Sequence, residues 1–279
     1  MANSSNPLSK HFRQPQLFIK LPSKGKWYPA DALEQSITGE YPVYAMTAKD
    51  ELTMKTPDAL LNGQSTVDVI HSCVPNIKNA WAMPSVDLDA VLMAIRQATY
   101  GNGMDFVSVC PHCQQKNENT VDLSALAGQI TCPDFSQTVH VDGLEIFLKP
   151  HTFKQFNIAS MENYEQQRII QLVGDKTLTE DERTLRFNQL FKKLLSFTVE
   201  QVTKSVAAIK SEDAVVEDPQ QIDEFFSNCN KNIWDAVKQK LEAMGEQNPL
   251  KKVPITCEHE ECGKPYETPL LFEQSSFFA

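Results

Sequence analysis

Two short stretches, VCPHCQQK at 109–116 and TCEHEECGKPY at 256–266, constrain this chain more than anything else in it. Each is a cysteine pair in a tight turn, Cys110 with Cys113 and then Cys257 with Cys262. A strand ending in such a turn can present two thiolates to one zinc ion at about 2.3 Å, and two turns complete a tetrahedral four-sulfur site. The seven cysteines are an odd number, and the opening MANSSNPLSKHFRQPQ lacks an apolar signal core. Both facts point to reduced thiols or a metal site rather than a disulfide framework. Cys110, Cys113, Cys257 and Cys262 are therefore the candidate ligands, and zinc the candidate ion, because thiolates favour it over magnesium or calcium. Pro111 inside the first pair and Gly263 just past the second suit the turns. Four residues separate the second pair instead of two, so His112, Cys132, His259 and the acidic EHEE run stay open as competing ligands. Unmetallated thiols on two turns are the plain alternative.

If the turns meet, whatever lies between them is an insertion, and the metal staples its base. Closing so long a loop is where a crosslink constrains the unfolded chain most. The pattern along the chain reads accordingly as α+β, a mixed chain with a zinc-ribbon-like pair of β knuckles and a large helical insertion between them. Residues 1–16 are polar and aperiodic, a flexible N-terminal arm. Residues 17–104 form an N-terminal α+β region. A strand in QLFIKLP is followed by punctuation at Pro22, Gly25 and Pro29, and a second strand lies in YPVY. Thr47 with Asp50 and Glu51 marks a helix start. The clearest helix has Ser85 as cap, Leu88, Val91, Leu92 and Ile95 at helical spacing, and Gly101 or Gly103 as stop, with Arg96 on its flank, solvated or paired with an acid, or else in a buried ion pair. Residues 105–150 and 248–279 make the discontinuous β region, which includes a hairpin turn at Asp142 and Gly143. Residues 151–247 are the helical insertion. Thr179 and Glu182 form a capping box there, and Leu185, Phe187, Leu190, Leu194 and Leu195 an apolar face; the acidic SEDAVVEDPQQ reads as an exposed loop, with a short strand at 214–216 as the alternative.

The net charge of −10 leaves no generic basic surface for phosphate backbones, so nucleic acid is not an expected partner. No run reaches the roughly 18–20 apolar residues of a bilayer crossing, so no membrane is expected either. Phosphate-loop, dinucleotide, zinc-protease and nucleophile-elbow motifs are missing, and the expectation is that the chain is not an enzyme. Acids at Asp50, Glu51, Asp87 and Asp89 serve helix starts. His71, His140 and His151 read as packing or surface residues, and Cys73 and Cys229 as ordinary buried thiols. Phe277 and Phe278, after a polar QSS, either fill a groove on their own domain or anchor a partner. A zinc-ribbon module binding nucleic acid or a transcription complex is the alternative function. Against it, only Lys116 and Lys264 lie near the turns.

LPSKGKWYP at 21–29, AMTAKDEL at 45–52, AIRQATYG at 94–101, CPHC, and CEHEECG with the closing FF form an ordered set. This series resembles the baseplate hub and hub-assembly proteins of T-even-like contractile-tailed bacteriophages, over about 17–279. The resemblance implies a non-enzymatic tail protein, either a built-in part of the baseplate or a chaperone for its hub. Its partners would be other baseplate and hub proteins. Its place would be the host cytoplasm during assembly and then, if it is retained, the virion tail baseplate.

Overall fold

A computed structural model describes residues 7–55, 63–173, 180–246 and 253–268. The chain is α+β, built of helices and small antiparallel sheets, and it divides into two compact units. One comprises Met1–Thr131 with Pro249–Ala279, the other Cys132–Asn248. No helix among the described residues is long and apolar enough to cross a membrane.

In the first unit, β1 (Pro15–Ile19) pairs antiparallel with β2 (Tyr41–Tyr44), Ile19 opposite Tyr41 and Leu17 opposite Val43, with an irregularity between Pro15 and Leu17. Thr47 starts α1 (Ala48–Met54) with the capping box its sequence implies. The Thr47 side chain accepts from the Asp50 N–H, and Asp50 in turn accepts from the Thr47 backbone. Helices α2 (Gln64–Cys73) and α3 (Leu88–Tyr100) complete this part, and Gly101, at φ +88°, ends α3 where a side chain would be strained. Val43, Ile70, Val91, Met93 and Ile95 are fully buried, so the i, i+3, i+4 stripe of α3 does face the core. Arg96 is buried rather than solvated on a flank. Its guanidinium lies 5.3 Å from the centre of the Tyr100 ring, whose face attracts a cation.

Ser85 does not cap α3. It sits in a 3-10 turn, Ser85–Asp87, and Asp87 occupies the cap position without making a cap bond. Its carboxylate is used elsewhere. It accepts from the Ser23 N–H at 2.7 Å, the Ser23 hydroxyl at 2.5 Å and the Tyr28 hydroxyl at 2.9 Å. These bonds hold the turn at 21–28, in which Lys24, Gly25 and Trp27 all have positive φ.

The described part of the N-terminal arm is tied down as well. Ser9–His11 forms a 3-10 turn, and the Arg13 guanidinium donates to the carbonyls of Ala45 and Ser72, each at 2.5 Å, and to the Ser72 hydroxyl at 2.8 Å. It lies 3.6 Å from the Asp50 carboxylate.

The second unit has a four-stranded antiparallel sheet in the order β5 (Val139–Val141), β6 (Leu144–Leu148), β7 (Val206–Lys210), β8 (Val215–Val216). Asp142 at φ +50° and Gly143 at φ +76° turn β5 into β6, the left-handed pair that a two-residue hairpin needs. Between β6 and β7 run α5 (Phe153–Val173) and α6 (Glu180–Lys204), and α7 (Pro219–Asn228) and α8 (Lys231–Glu246) follow β8. The core is Val139, Ile146, Leu148, Val202, Val206, Ile209, Ile222, Phe226, Ile233 and Val237, so both faces of the interface between sheet and helices are aliphatic or aromatic.

Two features here differ from the helical insertion expected at 151–247. Residues 206–210, in a stretch whose spacing looks helical, form β7, because pairing with β6 outweighs local propensity. The hairpin at 139–148 belongs to the same sheet, so the inserted unit begins at Cys132 and not after 150. The capping box at Thr179 lies outside the described residues.

Candidate metal centre

The first cysteine turn closes a hairpin of β3 (Gly103–Val109) and β4 (Lys116–Asp122), paired from Gly103 opposite Asp122 to Val109 opposite Lys116. α4 (Leu123–Ala127) follows it directly. Past the last pair, the Cys110 N–H donates to the Gln115 carbonyl at 2.9 Å, and Gln114 N–H returns to the Cys110 carbonyl at 2.9 Å. The second turn closes β9 (Val253–Thr256) on β10 (Pro265–Thr268), with Thr256 opposite Pro265. Its Cys257 N–H donates to the Lys264 carbonyl at 3.0 Å.

The two turns use one device. The residue just after the second cysteine is left-handed in both, Gln114 at φ +60° and Gly263 at φ +52°. That reversal lets the second sulfur return toward the first. The longer spacing of the second pair is absorbed by a tight turn in which Cys262 and Gly263 both donate to the His259 carbonyl, at 2.9 and 3.1 Å.

The hairpins meet across most of the chain's length. Cys113 Sγ lies 3.6 Å from Cys257 Sγ, Cys110 Sγ lies 3.9 Å from Cys262 Sγ, and all four sulfurs are within 4.8 Å of one another. Among the described residues this is the one group of three or more metal-ligating side chains close enough to share an ion. His112 and His259 are exposed and lie outside it, and Cys132 belongs to the other unit, where its thiol donates to the Pro133 carbonyl.

Polar side chains behind the sulfurs fix the hairpins to each other. Asn117, buried on β4, accepts from the Glu258 N–H at 2.8 Å, immediately after Cys257. Ser108 and Tyr266, one on each hairpin and both buried, share a hydrogen bond of 2.6 Å, and Asn119 donates to Ser108 at 3.0 Å. Sequence reading missed this layer. It also missed Asp87 and Arg13, because each of these residues acts on a partner far away in sequence.

The donor set fits a tetrahedral ion. Four sulfurs at the zinc–thiolate distance of about 2.3 Å stand about 3.8 Å apart, and the 3.6 and 3.9 Å separations bracket that edge. The electrostatics agree. Burial pushes the Cys110 thiol up, but the backbone N–H groups of Cys113 and His112 and the neighbouring thiols outweigh it and bring the group down to about 7. Cys113 is pushed up to about 12. The Gln115 N–H favours its thiolate, but burial and the three other sulfurs oppose it more strongly. One thiolate forms readily and the next does not, and a cation among them would favour the thiolate form. An ion bound by all four sulfurs would have no open position for a water, the arrangement of a structural site.

Phe277 and Phe278 lie outside the described residues. Cys73 is a buried thiol as expected, and burial, first among its causes, pushes it up to about 11. Cys229 is half-buried.

In comparisons with known proteins, a family model described as T4 bacteriophage base plate protein matches residues 15–279. No curated protein and no solved structure matches the chain.

Proposed function

We propose that this chain, which belongs to the T4 bacteriophage base plate protein family, works at the hub of a contractile tail baseplate, as a built-in part or as a chaperone of hub assembly. It acts by docking on other baseplate and hub proteins and catalyses no reaction. The observation that carries this reading is the match itself, which spans both compact units and both cysteine hairpins. A protein with this role needs rigid surfaces, and a closed four-sulfur centre supplies rigidity without chemistry.

Zinc is the ion we assign to Cys110, Cys113, Cys257 and Cys262, on the strength of a sulfur-only donor set with tetrahedral edges. Phe277 and Phe278 are our candidates for anchoring a neighbouring protein, since buried aromatics carry much of the affinity at such contacts. The protein would work in the host cytoplasm during assembly and then in the virion tail.

Phage carrying a nonsense mutation in this chain tests the role. The expected result is accumulation of tailless heads and incomplete baseplates, with the purified protein binding at least one hub component. Normal virions together with no binding would refute it. Mass spectrometry of mature particles separates a built-in part from a chaperone. Elemental analysis tests the metal independently. One zinc per chain is expected, lost in a Cys113→Ser, Cys262→Ser double variant.

A further inference from the structure

The four-sulfur cluster holds a second pattern inside the tetrahedral one. Each hairpin contributes one buried sulfur, Cys110 or Cys257, and one half-buried sulfur, Cys113 or Cys262. The close contacts cross between the hairpins. Half-buried Cys113 lies 3.6 Å from buried Cys257, and half-buried Cys262 lies 3.9 Å from buried Cys110. No sulfur belongs to both contacts, so the cluster divides into two pairs, each of which joins one hairpin to the other. Hydrogen bonds that involve no sulfur hold the hairpins together beside them, Ser108 with Tyr266 at 2.6 Å and the Glu258 N–H with Asn117 at 2.8 Å. Loss of an ion therefore leaves the paired sulfurs facing each other.

We propose that the cluster is a site of reversible oxidation, at which hydrogen peroxide replaces the ion with two disulfides, Cys113 to Cys257 and Cys110 to Cys262, and the hairpins stay crosslinked. Peroxide meets the half-buried sulfurs first. The Cys113 thiolate attacks one peroxide oxygen, the O–O bond breaks and hydroxide leaves, which makes Cys113 a sulfenic acid. The Cys257 thiolate then attacks that sulfur. An S–S bond forms, the S–O bond breaks, and a second hydroxide leaves. Both hydroxides take up protons from solvent to become water, and two electrons have passed from the sulfur pair to the peroxide. Cys262 and Cys110 react in the same way with a second peroxide, and the ion, without thiolates to hold it, departs as a divalent cation. A small dithiol restores the four thiols by exchange. The pairing is what the fold decides. In an unfolded chain the shortest loops close most readily, which favours Cys110 with Cys113 and Cys257 with Cys262. In the folded chain each turn is fixed by its own backbone bonds and the contacts lie across the hairpins. The inference rests on the sulfur positions, and only the identity of the released ion rests on the zinc reading above.

The test treats the full native chain with about two equivalents of hydrogen peroxide, one per disulfide, while a chromophoric chelator follows metal release. Digestion without reductant and mass spectrometry then map the disulfides. The expected result is the two pairs that cross between hairpins, formed in step with loss of the ion and reversed by dithiothreitol. The same chain oxidised in denaturant should give the pairs within each turn instead. Cys110→Ser with Cys262→Ser leaves the Cys113 and Cys257 contact alone and should form that one disulfide with no metal present; if this variant fails to fold, the wild-type map decides. Disulfides within each turn of the native chain overturn the inference, as do disulfides between molecules or a sulfinic acid on Cys113 with no bond to Cys257. A chain that carries no zinc yet forms the pairs across the hairpins refutes the metal reading and upholds the inference. One that releases zinc yet pairs within its turns does the reverse.

Discussion

Asp87 is completely buried, and among the described residues its side chain accepts hydrogen bonds from Ser23 and Tyr28. Burial pushes its carboxyl above the usual range, and the donors at Ser23 and Tyr28 offset only part of that. In the unfolded chain the group titrates near 4. Between that value and the raised folded one, the native state holds the extra proton, so stability is fully present below about 4 and falls as pH rises through the folded pKa. Asp87→Asn should flatten that decline in denaturant titrations repeated across the acidic range. Asp87→Ala should cost about 2–4 kcal/mol at neutral pH, because it strands the Ser23 N–H and the Tyr28 hydroxyl. The left-handed residues of the two knuckles give a sharper comparison. Nothing lies within 4 Å of a Cβ built on Gly263, so Gly263→Ala meets only backbone strain, about 1 kcal/mol. Gln114 bears that strain already, and Gln114→Gly should raise the melting temperature.

Among the elements, those legible in the sequence carry their own local reason. Thr47 with Asp50 caps a helix by itself, and Asp142 with Gly143 turns a hairpin by itself. The strand at 206–210 has no such reason. It is a strand because residues 144–148 lie beside it, and a helical neighbour in sequence hides that. Ser85 fails as a cap for a related cause: the chain enters α3 through a 3-10 turn shaped by Asp87's bonds to the 21–28 turn. The cysteine hairpins were legible because sulfur has few uses at that spacing, whereas Asn117 and Tyr266, ordinary polar residues on strands, gave no signal. They make a testable layer. Asn117→Ala removes the acceptor of the Glu258 N–H and should weaken metal binding about 10- to 100-fold, as loss of outer-shell partners does. Competition with a chromophoric chelator measures it. Tyr266→Phe should loosen the hairpins less, by about 1 kcal/mol, since Ser108 keeps its bond from Asn119.

For the molecule as a whole, the division into two units has a thermal signature. The four cysteines belong to one unit and the sheet-and-helix core to the other, so with the proposed zinc held by them a strong chelator should lower one calorimetric transition of the full chain and leave the second where it was. Equal movement of both, or of neither, would contradict a metal crosslink confined to the hairpin unit. The α+β class was readable from the pattern of strands and helices along the chain, and the spacing of the cysteine pairs pointed to an insertion between them. The insertion's border was not, because the strands at 139–148 lie beside the first cysteine hairpin in sequence but share a sheet with the inserted helices.

The distance between half-sites is also a delay. Cys113 and Cys257 are 144 residues apart, and at about 5–20 residues per second a ribosome needs roughly 7–30 s to make the stretch between them. Throughout that interval the first knuckle offers an ion two sulfurs where four are needed. The inserted unit, by contrast, has its whole sequence in hand before Cys257 is made, and its sheet and helices can settle first. The four-sulfur cluster can be completed only after the inserted unit's whole sequence has been made, so the order of translation puts its assembly last.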